Sequence, residues 1–198
     1  MRKGMPVAVL ATFLAAGQAV AQERGERFSY SYAELGYFSS DRDDITTNGL
    51  GVRASYAIAP QLHLFADYID LKGEFGPFNA DRETIRIGAG VNWPSNRNLD
   101  LIGRVAYVSS DLDFNAPGLA GADEDGVGVE VGVRHRASSR LEITGTVEYV
   151  RFDGDEDDTS LNLGARYYFD RRWAGAFDIA YSDGNPTFMF GARYDFGR

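Results

Sequence analysis

The chain contains no cysteine, which excludes a disulfide framework, a cysteine-based zinc site and a thiol nucleophile together. Histidine is almost as scarce, with His63 and His135 the two present. Both sit at the short-turn ends of alternating stretches, and their registers place them on opposite faces. Neither can join a triad at the opposite, long-loop rim, so histidine-based acid–base catalysis has no support, and each reads as a polar residue at an interface. After the N-terminus no apolar run approaches the length of a membrane helix, so any crossing of a bilayer must use strands. The net charge of −9, without basic stretches interleaved with aromatics, excludes a nucleic-acid partner. Glycines 49, 51, 88, 90, 126, 128 and 132 never open a helix after a strand, so no nucleotide fingerprint exists.

The N-terminus has its own character. Arg2 and Lys3 precede an apolar run from Pro6 to Ala16 that is too short to span a bilayer, and Ala19-Val20-Ala21 supplies a small-x-small cleavage site. Residues 1–21 are predicted to be a secretory signal peptide, and 22–198 a single domain. Removing Arg2 and Lys3 would carry the net charge to about −11.

What fills the rest is alternation. Phe188 to Phe196 sets Phe188, Phe190, Ala192, Tyr194 and Phe196 against Met189, Gly191, Arg193 and Asp195. A period of two is that of a strand, whose successive side chains point to opposite faces. Leu161 to Phe169 nearly copies it, with looser relatives at Leu50 to Ile58, Ile85 to Trp93 and Val127 to His135. Between these lie strands ending in tyrosine: Ala33 to Tyr37, Leu62 to Tyr68, Leu101 to Tyr107, Leu141 to Tyr149 and Gly175 to Tyr181. The repetition predicts ten strands of about nine to eleven residues, the first over Phe28 to Phe38, each long enough to cross a hydrocarbon core when tilted.

Three features point to a membrane barrel. Connections after odd-numbered strands are long and acidic, and those after even-numbered strands are short, as for extracellular loops and periplasmic turns. Tyr37, Tyr68, Tyr107, Tyr149 and Tyr181 stand on the apolar face at the loop end, and Trp93, Phe169, Trp173, Tyr194 and Phe196 at the turn end, which makes two aromatic girdles. The polar face carries both signs in near balance: Glu34, Asp67, Glu130, Glu142, Glu148 and Asp178 with Arg53, Arg86, Arg104, Arg134, Arg166 and Arg193. Paired charges are tolerated away from water and lone ones are not. The predicted fold is an all-β, antiparallel, up-and-down transmembrane barrel with an ion-paired lumen, in which the glycines make room for bulky side chains.

The stretches Tyr30-Ser-Tyr-Ala-Glu-Leu-Gly-Tyr37 and Phe190-Gly-Ala-Arg-Tyr-Asp-Phe196 resemble the small bacterial outer-membrane β-barrel proteins, the group that includes the transmembrane domain of outer membrane protein A. That resemblance implies insertion into the outer membrane and contact with its lipid, including lipopolysaccharide. It also implies that the barrel-assembly machinery reads a terminal signal, here Phe188, Phe190, Tyr194 and Phe196. Gly197 and Arg198 follow the aromatic, and ten strands replace the eight of that domain. No peptidoglycan-binding domain follows, so that anchoring role is not implied.

Candidate chemistry is thin. Glu142 and Glu148 are titratable and inward-facing, but arginines of the same face would pair with them. Asp153-Gly-Asp-Glu-Asp-Asp158 begins like a calcium loop, yet Asp158 stands where the sixth-place glycine belongs and Gly164 where a bidentate glutamate is needed. Loose divalent-cation association with acidic loops is the metal contact the sequence allows; no cofactor is indicated and no enzyme is expected. The expected role is structural, supporting membrane integrity and displaying acidic loops. A narrow porin-like channel is the alternative, and an adhesin or receptor acting through the Ser110 to Asp125 loop, with Phe114, Pro117 and Leu119 as recognition groups, a further one. Neutralising Arg104 is expected to destabilise the barrel by leaving a carboxylate without its partner.

Overall fold

Alternation with a period of two commits each stretch to a strand, and strands with one greasy face and one charged face have a single way to satisfy every backbone group in lipid: closure. The computed structural model describes residues 28–42, 45–75, 78–114, 121–154 and 157–196. Among them it contains ten strands in chain order: β1 (Tyr32–Arg42), β2 (Ile45–Ala59), β3 (Leu62–Phe75), β4 (Phe78–Asn96), β5 (Leu99–Phe114), β6 (Ala122–Arg136), β7 (Leu141–Phe152), β8 (Asp157–Tyr168), β9 (Trp173–Ser182) and β10 (Asn185–Asp195). Each pairs antiparallel with its chain neighbours, and β1 closes on β10 from Tyr32↔Asp195 to Ser40↔Thr187. The described residues hold no helix long and apolar enough to cross a membrane.

The two faces separate as the period requires. Leu35, Leu50, Ile87, Val131, Leu163 and Phe190 are among the large apolar residues left exposed on the outside, at 47% or more. Glu34, Glu130, Arg134, Glu142, Arg193 and Asp195 are buried inside. A soluble protein of this size has no reason to invert its polarity in this way. The outward face is a lipid-facing band.

Three expectations are corrected. β1, β9 and β10 have the expected 10 to 11 residues, but β2 to β8 are longer than a bilayer needs, from 12 residues in β7 and β8 to 19 in β4. Much of what reads as long loop is paired strand: β3 and β4 stay in register to Phe75↔Phe78, and β5 with β6 to Leu112↔Ala122. Beyond the membrane both faces of a hairpin meet water, so the apolar alternation disappears while the hydrogen-bond ladder continues. The connection from β9 to β10 is a tight turn. Asp183 and Gly184 both have positive φ, 49° and 81°, as a two-residue type I′ hairpin requires.

The third correction concerns the first strand, which begins at Tyr32 and not at Phe28. Residues 28–31 lie outside the sheet, yet Phe28, Ser29, Tyr30 and Ser31 are all buried. The signal peptide, Pro117, Leu119, Gly197 and Arg198 lie outside the described residues.

Candidate functional site

The site is the lumen, which has three levels along the strands. At mid-strand two ion-pair clusters line the wall. In the first, Arg166 of β8 makes a two-pronged contact with Glu34 of β1, Nε to Oε2 at 2.8 Å and Nη2 to Oε1 at 2.9 Å. The same guanidinium donates to Asp178 of β9 at 2.6 and 3.0 Å. Arg53 of β2 closes the group, at 2.5 Å from Asp178 and 3.6 Å from Glu34. In the second, Arg86 of β4 meets Asp67 at 3.5 Å and Glu130 at 3.7 Å, and bonds to Glu148. Arg104 of β5 stands 3.4 Å from Glu130. Charges taken from water are compensated in this way by partners drawn from nine strands, β1 to β9.

A third cluster occupies the short-turn end. Arg134 grips Glu142 through Nε and Nη2 at 3.1 and 2.6 Å, and Arg136 reaches the other oxygen at 2.9 Å. Arg193 donates to Asp195 at 2.7 Å, and the Tyr168 hydroxyl donates to the same carboxylate at 2.9 Å. Arg134, Glu142 and Arg193, expected as part of one lumen network, thus form a separate group at the periplasmic mouth.

Residues 28–31 cross that mouth. The Ser29 carbonyl accepts from Arg134 Nη1 at 2.8 Å and Arg193 Nη2 at 2.9 Å. The Tyr30 hydroxyl donates to Asp100 of β5 at 2.9 Å. Because β6 lies diametrically across the ring from β1, a segment leading into β1 and held by Arg134 of β6 spans the bore. Phe28 lies against the guanidiniums of Arg134 and Arg136, both 4.9 Å from its centroid.

Towards the outer end the inward residues turn apolar. Phe38, Leu71, Ala176 and Met189 form one cluster, and Phe65, Ala106, Val108 and Val150 another. Arg53 faces Phe38 and Arg104 faces Phe65 at 5.2 and 5.3 Å, joining the clusters to the charged belt. Between these levels is a cavity of about 120 Å³, room for about four waters. Glu34, Arg86, Arg104 and Asp178 are on its wall and Arg134 and Arg193 at its periplasmic side.

The glycines do make this room. A Cβ on Gly90 would fall 2.3 Å from His63 Nε2, and one on Gly51 would fall 2.6 Å from the Phe38 ring. His63, expected at an interface, is instead fully buried in the lumen and stacked on Tyr30 with centroids 4.9 Å apart. The reason is its parity: it shares a face with Phe65 and Asp67, so it points inward with them. Its ring nitrogens have no hydrogen-bond partner among the described residues. His135 is exposed on the opposite face, its Nδ1 3.0 Å from the Asn98 carbonyl.

The residues expected in two girdles fall at opposite ends of the outer face. Tyr37, Tyr68, Tyr107, Tyr149 and Tyr181 are exposed at one end, and Trp93, Phe169 and Trp173 at the other. Tyr194 packs between Trp173 and Phe196 at 4.9 and 5.5 Å. Phe190 packs on Phe177 at 4.8 Å, and Phe188 is half-buried opposite Ile179. Tyr167, exposed beside Phe169, belongs to the lower girdle too; its outward parity in the sequence is the signal for it. Tyr107 and Tyr149 donate across the strand pair to Asp125 and Asp157. Beyond the tyrosines, Asp70, Glu83, Asp111 and Asp123 stand opposite one another in a row across β3 to β6. Among the described residues no group of three or more histidines and acids is placed to hold a metal ion. Glu142 and Glu148 are six residues apart on one strand, about 20 Å at strand spacing, too far to act as an acid–base pair.

A closed antiparallel barrel with a lipid-facing band, two aromatic girdles and a charge-paired interior defines a transmembrane β-barrel of the bacterial outer membrane. The chain belongs to the family described as "Outer membrane protein beta-barrel domain", whose model matches residues 7–169. Among solved structures it is similar to the NanC porin, at 7% identity and a TM-score of 0.54 over 82% of this chain and 99% of that one. It is similar also to Ail, the attachment invasion locus protein of Yersinia pestis, at 15% identity and a TM-score of 0.46 over 85% and 99%. The KdgM porin follows at 12% and 0.42 over 86% and 87%. At these identities the likeness is one of fold. No curated protein matches the sequence.

Proposed function

We propose that the chain is a structural barrel of the outer membrane, with a lumen closed to solutes, that supports membrane integrity and displays acidic strand extensions and loops outside the cell. The observation that carries this reading is the bore itself, crossed at its periplasmic mouth by residues 28–31 and bridged above them by ion pairs between distant strands. Among the described residues the mid-lumen carboxylates Glu34, Asp67, Glu130, Glu148 and Asp178 are each engaged by an arginine, which supports the reading of a non-enzyme. The outward tyrosines and the lower girdle fit contact with lipid, including lipopolysaccharide, and β10 with Phe188, Phe190, Tyr194 and Phe196 fits recognition by the barrel-assembly machinery. The carboxylate row across β3 to β6 supports loose divalent-cation association beside anionic headgroups, without a fixed site.

The cavity favours a second reading, a narrow channel. Proteoliposome swelling discriminates the two. With the folded chain incorporated, the structural barrel leaves permeability to small sugars and amino acids at the level of empty vesicles. Swelling that scales with protein and falls with solute size would replace it with the channel.

A further inference from the structure

A segment leading into a first strand needs only to reach it. Residues 28–31 instead turn across the bore and are held mostly by side chains. Arg134 and Arg193 grip the Ser29 carbonyl, Asp100 takes the Tyr30 hydroxyl, and Ser55 Oγ donates to the Tyr30 carbonyl at 2.8 Å. The ladders of β1 with β2 and with β10 begin at Tyr32, and beyond them Ser31 accepts from the Phe196 N–H through its carbonyl at 2.9 Å and from the Ala57 N–H through Oγ at 3.0 Å, so withdrawal of the segment breaks those two bonds and leaves the paired strands in place.

Its departure is also electrostatically mild. Arg134 keeps Glu142 at 2.6 Å and Arg193 keeps Asp195 at 2.7 Å. The Ser29 carbonyl is therefore an additional acceptor for guanidiniums already neutralised, and water can take its place. The same two arginines line the periplasmic side of the cavity, so what rests on them separates the cavity from periplasmic water.

We propose that residues 28–31 are a releasable latch over the periplasmic mouth, and that its withdrawal turns the closed barrel into a narrow pathway for small ions. The proposal rests on the closed-lumen reading, which supplies the state the latch maintains. The walls behind it carry both signs, with Arg53, Arg86, Arg104 and Arg166 facing Glu34, Asp67, Glu130 and Asp178, so small ions find counter-charges along the cavity.

The test uses the full chain refolded into lipid. Because there is no native cysteine, Ser29→Cys provides a single thiol on the latch. Its labelling by a membrane-impermeant maleimide is compared with that of the same protein carrying Phe28→Ala and Tyr30→Ala, and both are recorded in planar bilayers. Unchanged heat-modifiable gel migration establishes folding. The latch variant is expected to label at least about tenfold faster, as two aromatic anchors and a buried hydrogen bond are gone, and to show discrete openings that the parent lacks. Equal labelling of the two proteins would overturn the proposal, because the named contacts would not be holding the segment. Faster labelling with continued silence would overturn it too, because the segment would not be what closes the lumen. If the wild-type chain itself conducts, the closed-lumen reading fails. The latch then stands if the variant raises the open probability and falls if it does not.

Discussion

Arg166 makes four hydrogen bonds to carboxylates at mid-strand where Arg53 and Arg86 make one each, and Arg166→Gln makes the packed-lumen account quantitative. The guanidinium gives two bonds to Glu34, two to Asp178 and two more to the carbonyls of Ala165 and Phe177. Asp178 would keep Arg53 at 2.5 Å, but Glu34, its side chain 2% exposed, would retain among the described residues only the 3.6 Å contact with Arg53. A carboxylate stripped of its partner away from water costs about 3–5 kcal/mol, and the cavity beside it brings the expectation to the lower end, about 3 kcal/mol. Arg104→Gln is the internal control. Arg104 has one ion pair, at 3.4 Å, and Glu130 would keep Arg86 at 3.7 Å. Its cost should be about 1–2 kcal/mol, including the lost contact with Phe65. Removing the charge of Glu34 together with that of Arg166 should recover part of the loss. Urea unfolding in lipid vesicles, followed by Trp93 and Trp173 fluorescence, measures each. If the two single variants unfold within about 0.5 kcal/mol of each other, the lumen is not organised around Arg166 and the ion-pair account fails.

Three further outcomes are expected. Gly90→Ala forces a Cβ against the buried His63 ring and should cost about 1–3 kcal/mol by overpacking, with an unchanged unfolding midpoint ruling out the contact. Val131→Arg, on the lipid face between the girdles and 58% exposed, should cost about 2–4 kcal/mol in a bilayer, and little in a water-exposed setting; an unaltered midpoint in vesicles would refute the lipid-facing assignment. At the β8–β9 turn, the backbone N–H groups of Trp173 and Arg172 hold the Asp170 carboxyl below the usual carboxylate range. A depressed pKa means that this contribution is present above the unfolded value and is lost as pH falls through the folded one. Amide exchange at Trp173, corrected for intrinsic rates, should therefore lose protection on acidification. Asp170→Asn should abolish that pH dependence.

Much of this architecture was legible because a strand has only two faces. Once Phe188 to Phe196 was placed, parity sent every arginine and carboxylate of the even and odd positions inward or outward, and it placed Tyr37 and Trp93 in their girdles. Pairing was not legible. Glu34 meets Arg166 across 132 positions, and such contacts depend on tilt and stagger of the closed sheet, which no local pattern encodes. The latch was hidden for the opposite reason: Phe28, Tyr30 and Tyr32 alternate whether the chain continues as a strand or folds over the mouth. His63 stands at a strand end, where a polar residue suits an interface, but its parity with Asp67 turns it into the lumen. The strand extensions were missed because polar residues on both faces carry no periodicity, although the ladder beneath them is unbroken.

Single-channel recording of the refolded wild-type chain in a planar bilayer tests the central claim most directly. With folding established by heat-modifiable migration, the ion-paired and latched lumen predicts an electrically silent protein. Regular discrete openings of constant size in the wild-type chain would contradict it.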